Sequence, residues 1–138
     1  MVTYVLDTSA ILRFLDNEAG AARIDKVISD FMDGNCQIAI SAVNWGEVAT
    51  KLLQKRGRRQ FEEILADLET FGFEIVEATD TRAVYCGLLK AEKKIPYADA
   101  FGVELAASIP GSILITSDFD VKPAAHDIKI EFLPKKTQ

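Results

Sequence analysis

Histidine is nearly absent from this 138-residue chain, which has only His126. A zinc site built from histidine and cysteine is therefore out of reach. A Ser-His-Asp triad would have to use His126, and no nucleophile elbow accompanies it. Cysteine is scarce too. Cys36 and Cys86 lie far apart among apolar neighbours, which reads as two buried thiols rather than a disulfide or a metal pair. No apolar run is long enough to cross a bilayer. The N-terminus has no basic region before its apolar run and no signal-like cleavage site, so the expected location is the cytoplasm. Base is short against acid, with 16 Lys and Arg against 21 Asp and Glu, a net charge of −5 and a pI near 4.9. That excludes a broad cationic surface for polyanions. It leaves open a polyanion held through metal ions in an acidic cleft, because bound cations invert the local charge.

What is present is a hydrophobic fraction of 49% and a charged fraction of 27%, the balance of one folded domain over residues 1–138. Tyr4 to Asp7 does not alternate and reads as a strand buried on both faces. Gln37–Ile40, Phe73–Val76, Ser112–Thr116 and Ile128–Phe132 read as four further strands. Helical spacing fills the intervals. A short helix runs from Ser9 to Leu15. Another covers Ala21 to Met32, with Ile24, Val27, Ile28 and Phe31 on one face. Ser41 caps a long helix with Trp45, Val48, Ala49 and Leu52 inward. Gly57 breaks it before a helix from Arg59 to Glu69. A further helix runs from Thr79-Asp80 to about Lys94 with Val84, Leu88 and Ala91 inward, and one more covers Ala98 to Ser108. Pro134 to Gln138 is a basic polar tail, expected to fray. Strands alternating with helices give a mostly parallel sheet covered on both faces, a three-layer α/β/α domain.

Four carboxylates stand where such a fold concentrates chemistry. Asp7 ends the first strand and Asp118 the fourth, so both face the carboxyl edge of a parallel sheet, where open α/β sheets bind ligands. Glu47 lies in the first turns of the helix after the second strand, off its apolar stripe. Asp99 lies in the first turn of the helix after Pro96. Each has a plain structural alternative. Asp7 can make an Asx-turn while Ser9 caps the next helix. Glu47 can pair with Lys51, worth roughly 0.3–0.5 kcal/mol. Asp99 can complement the helix dipole, worth about 0.3–1 kcal/mol. Asp118 can cap a turn. Together in one cleft they would repel, and some would take up protons. A hard divalent cation removes that conflict, and oxygen ligands suit Mg²⁺ or Mn²⁺. The chemistry such a site supports is metal-assisted phosphodiester hydrolysis.

The segments that carry these acids are VLDTSAIL (5–12), ISAVNWGEV (40–48), IPYADAF (95–101) with Ala106-Ala107, and LITSDFD (114–120). In this order and spacing they resemble a PIN domain, and within it the VapC-type toxin ribonucleases of bacterial toxin–antitoxin pairs. The resemblance implies a sheet of order 3-2-1-4-5 and an endoribonuclease whose Mg²⁺ or Mn²⁺ is held by Asp7, Glu47, Asp99 and Asp118. It implies that the hydroxyls of Thr8, Ser9 and Thr116 orient those carboxylates or their waters. Asp120 matches a further acid of the family. The aromatic that often follows it there is Val121 here. The resemblance also implies an RNA substrate, a homodimer, and a small antitoxin whose cationic segment would suit an acidic toxin.

Lys51, Lys55, Arg56, Arg58 and Arg59 form the one basic concentration. They are either phosphate contacts beside the cleft or a solvated helix end. Arg13, one turn past Ser9, either touches a substrate phosphate or pairs with Asp16. Trp45 and the phenylalanines read as core. Two other functions compete with the nuclease. One is a binding module that keeps the acids for structure or for a basic partner. The other is a phosphotransfer domain of similar topology. Against the latter, Ser9 stands where haloacid-dehalogenase-type phosphatases carry a second Asp, and Glu77 follows the third strand where receiver domains carry the phosphorylated Asp.

Overall fold

A computed structural model describes residues 1–136. In chain order the elements are β1 (Thr3–Leu6), α1 (Thr8–Leu15), α2 (Ala21–Met32), β2 (Gln37–Ser41), α3 (Ala42–Thr70), β3 (Glu74–Val76), α4 (Asp80–Lys93), α5 (Tyr97–Ser108), β4 (Ile113–Thr116), a 3₁₀ turn (Phe119–Ala124) and β5 (Lys129–Phe132). The five strands pair only in parallel, in the order β3-β2-β1-β4-β5. Leu6 lies beside Ile115, so β1 and β4 end level with each other. Here the chain reverses its direction of travel across the sheet. Such a switch point opens a crevice beyond the strands' carboxyl ends.

Strand side chains alternate between faces, and the core divides accordingly. Leu6, Ile38, Ile40 and Ile115 pack with Ile11, Ile24, Val27, Val48 and Leu52, roofing the sheet with α1, α2 and α3. Val5, Ala39 and Leu114 pack with Phe101, Val103, Leu105 and Cys86, under α4 and α5. Full burial of each large aliphatic contributes about 1.5–3 kcal/mol. Both cysteines are free and buried, as their apolar surroundings imply, and burial pushes the Cys86 thiol up to about 12.

One local reading stands and two change. The helical run from residue 42 to 70 does break at Gly57, whose φ of 78° and ψ of 169° lie outside the helix region. On α4, however, Val84 and Leu88 do not face inward. They are 67% and 51% exposed, and Tyr85 beside them is 51% exposed. Ala83, Cys86 and Leu89 turn to the core instead. Both faces of α4 carry apolar residues, so periodicity alone does not choose between them.

The second change concerns Arg13. Its guanidinium is only 8% exposed. Its Nη1 donates to the carbonyl of Ala19 at 2.7 Å and to that of Pro134 at 2.8 Å. Asp16 pairs instead with Lys55 and Arg56. Neither sequence reading of Arg13 holds, because its donors tie the α1–α2 loop to the segment after β5. The expected fraying therefore does not reach Pro134. Residues 137 and 138 of the expected tail lie outside the described range. Arg13→Ala should cost about 2–3 kcal/mol, since two carbonyls lose charge-assisted donors. A urea midpoint shifted by less than about 0.5 kcal/mol-equivalent would show that the clamp is idle.

Candidate metal centre

The segment Asp7-Thr8-Ser9 joins β1 to α1, and each of its side chains holds something different. Asp7 is 3% exposed and caps α1 through Oδ1, which accepts from the Ala10 amide at 3.0 Å. The same oxygen accepts from Ser9 Oγ at 2.7 Å. Ser9 is thus not the cap. Its Oγ also lies 3.2 Å from Thr116 Oγ1, and the Thr116 hydroxyl acts on Asp7 as well. Thr116 accepts from the Asp118 amide at 2.9 Å, and the Ser117 amide donates to Ser9 at 2.9 Å. A hydrogen-bonded network of two hydroxyls thus links the end of β4 to the Asp7 carboxylate. Thr8 reaches the other way and donates to Glu47 Oε1 at 2.6 Å.

Glu47 does not pair with Lys51. Its Oε1 takes Thr8 and, at 3.4 Å, the Asn44 amide. Lys51 is exposed and has no carboxylate partner among the described residues. Asp99 lies in the first turn of α5, and Asp118 caps the 3₁₀ turn by accepting from the Asp120 amide at 2.9 Å. The cap weighed for Asp118, and the cap that falls to Asp7 where Ser9 was expected, therefore coexist with the convergence of acids.

The tightest group is Asp99, Asp118 and Asp120, each offering an oxygen within 4.8 Å of the others. That is close to the roughly 4.2 Å that spans opposite oxygens around Mg²⁺. Asp120 thus stands with the acids rather than behind them. Asp7 and Glu47 flank the group, and their charges act on Asp99. Among the described residues, none of these five carboxylates has a lysine or arginine within 4.0 Å, although eight ion pairs form elsewhere. An oxygen-only, anionic donor set without counter-ions fits a hard divalent cation.

Electrostatics record the strain. Burial, then the hydrogen bond and charge of Asp118, then Asp7 and Glu47, push Asp99 from the ordinary 3.8 up to about 8. Burial also raises Asp7, against the hydroxyls of Thr116 and Ser9 and the Ala10 amide, while the charge of Asp118 adds to the rise. A surface cavity of about 480 Å³ lies at the opposite edge of the sheet, lined by Ser112, His126 and Lys129 among others. It contains His126, which puts that side chain away from the acids.

Asn44 escaped the sequence reading. It is 1% exposed and lies on the inward stripe with Val48 and Leu52. Its Nδ2 donates to Glu47 and, at 3.1 Å, to the carbonyl of Ala98, next to Asp99. One amide therefore ties the Glu47 turn of α3 to the Asp99 turn of α5. The signal was a polar residue on an apolar stripe, one turn before an acid. Gly102 lets α5 come this close, since a Cβ there would meet Asn44 Oδ1 and Asp7 Cβ at 3.4 Å.

A family model of the PIN domain matches residues 4–126, and the chain belongs to that family. No curated protein matches it in sequence. Solved structures share its fold. A chain of VapBC2 from Rickettsia felis, bound there to a promoter DNA fragment, aligns with a TM-score of 0.72 at 16% identity, covering 96% of this chain and 100% of that one. DNA-bound VapBC from Salmonella typhimurium gives 0.68 at 15%, covering 96% and 98%. VapBC-1 from nontypeable Haemophilus influenzae gives 0.66 at 17%, covering 95% and 98%.

Asp99 binds its proton more tightly folded than unfolded, so the folded state holds more protons between about pH 4 and pH 8. Stability of the metal-free protein should therefore fall as pH rises through that window, and Asp99→Asn should flatten the fall. Mn²⁺ should raise the melting temperature more at pH 8 than at pH 5, because binding at low pH must first displace a proton. Melting curves whose pH slope is the same in wild type and Asp99→Asn would contradict this account.

Proposed function

We propose that the chain is a Mg²⁺- or Mn²⁺-dependent endoribonuclease, the toxin of a toxin–antitoxin pair. The observation that carries the reading is a set of five carboxylates without a cationic partner, at the switch point of a PIN fold. Asp7, Glu47, Asp99 and Asp118 would hold the ion, with Asp120 beside Asp118. A bound ion supplies a water acidic enough to attack at neutral pH and neutralises charge on the phosphoryl oxygens. The chain's own groups do the rest. The hydrogen-bonded network of Thr116 and Ser9 keeps Asp7 oriented. Thr8 and Asn44 keep Glu47 turned toward the cleft. With an ion bound, these carboxylates would hold its water in line with the phosphorus, leaving a 5′-phosphate and a 3′-hydroxyl. Lys51, free on the turn after Glu47, is placed to meet a substrate phosphate.

The similar VapBC structures support an antitoxin partner, and a chain of pI near 4.9 favours a cationic inhibitory segment. The exposed stripe Val84, Tyr85 and Leu88 on α4 supports a second copy of the chain as the cover of that face. Among the described residues no helix is long and apolar enough to cross a membrane.

Asp7→Asn is the decisive variant. Asparagine caps a helix as well as aspartate, so α1 and the fold should survive. Metal-dependent RNA cleavage should fall by more than the roughly 10–100-fold expected from losing a mere supporting partner of a metal ligand. Undiminished cleavage by this variant, or by wild type in excess chelator, would end the nuclease reading.

A further inference from the structure

Phe119 separates Asp118 from Asp120, and its surroundings are unlike the rest of the edge. One neighbour is Phe132 of β5, stacked with ring centroids 4.9 Å apart and planes within 6°. The others are two ammonium groups, Lys122 Nζ at 5.0 Å and Lys135 Nζ at 5.3 Å from the Phe119 ring centre. Both lysines are exposed. Neither has a carboxylate within 4.0 Å among the described residues. Lys55 and Lys136 nearby do find carboxylates, Asp16 and Glu18.

Two like charges gathered on one ring repel, and an exposed cation–π contact returns only about 0.5–1 kcal/mol each. An anion between them turns repulsion into attraction. Lysine is a point charge suited to phosphate. The ring they share is one residue from Asp118 and one from Asp120, so the anion would lie beside the proposed cleavage site. We infer that Lys122 and Lys135, seated on Phe119, bind a phosphodiester of the RNA strand that flanks the one being cleaved. The inference rests on the nuclease reading for its ligand. An acidic peptide suits the place less well, since five carboxylates would repel it while divalent ions draw the RNA in. The phenyl ring acts as a platform for the lysines, because Phe132 already covers one of its faces.

The test uses the full chain and a single-stranded RNA oligonucleotide with Mn²⁺. Lys122→Gln/Lys135→Gln should raise KM about 10-fold while kcat and the Mn²⁺-induced rise in melting temperature stay as in wild type. In the Asp7→Asn background, the plot of log binding constant against log salt should be shallower by about 1 for the double variant. Lys122→Arg/Lys135→Arg should restore KM. The control Lys26→Gln/Lys129→Gln makes the same charge change at remote exposed positions and should leave KM unchanged. Wild-type KM and salt slope in the first double variant would overturn the proposal, as would an equal loss in the control. So would weakened antitoxin binding with RNA binding intact, which would assign the lysines to a protein partner. If wild type cleaves nothing, the nuclease reading fails, and the salt slope of RNA binding still decides the phosphate seat.

Discussion

Repulsion among carboxylates is the constraint around which one edge of this molecule is arranged. Among the described residues, Asp7, Glu47, Asp99, Asp118 and Asp120 converge with no guanidinium or ammonium to balance them. The scaffold carries that load by giving Asp7, Glu47 and Asp118 neutral donors. Asp7 and Asp118 each accept a backbone amide as helix caps, and Glu47 accepts a hydroxyl and an amide side chain. Hydrogen bonds to an ionised carboxylate are strong and leave its charge in place. An arginine would have been a stronger partner and would have cancelled the charge. The polar network therefore orients the acids and keeps them available to a cation from outside.

Much of this was legible in the residues. A non-alternating apolar run ending in an acid occurs twice, at Asp7 and Asp118, and a parallel sheet brings such ends to one edge. The order β3-β2-β1-β4-β5 came with the family resemblance rather than with periodicity. What stayed hidden depended on choices between chemically similar faces. α4 offers two apolar stripes, and only packing against α5 decides that Ala83 and Cys86 go inward. Arg13 looks like a phosphate ligand in one dimension, because its carbonyl partners at Ala19 and Pro134 lie in distant segments. Asn44 was passed over for a similar reason, since the partner that gives it meaning, the Ala98 carbonyl, is 54 residues away. Asp120 was underrated because its place depends on the 3₁₀ turn that Asp118 itself caps.

The small residues near the acids make a related point. Thr8, Ser9 and Thr116 set short hydroxyls against the acids, and Gly102 sets bare backbone there. Gly102 is the clearest case, since α5 lies against Asp7 and Asn44 there with space for little more than a methyl group. Spacing of the carboxylates is thus controlled from two sides. Hydroxyls set it from β1 and β4, and the bare backbone of α5 sets it from below.

The pairing of β1 with β4 also has a meaning in time. β1 is the central strand and is made first, yet its partner Ile113–Thr116 and the acid at residue 118 are separated from it by most of the chain. The site therefore exists only once two strands far apart in sequence have paired, and the loop-closure entropy of that pairing is met before Asp7 faces the acids beyond β4.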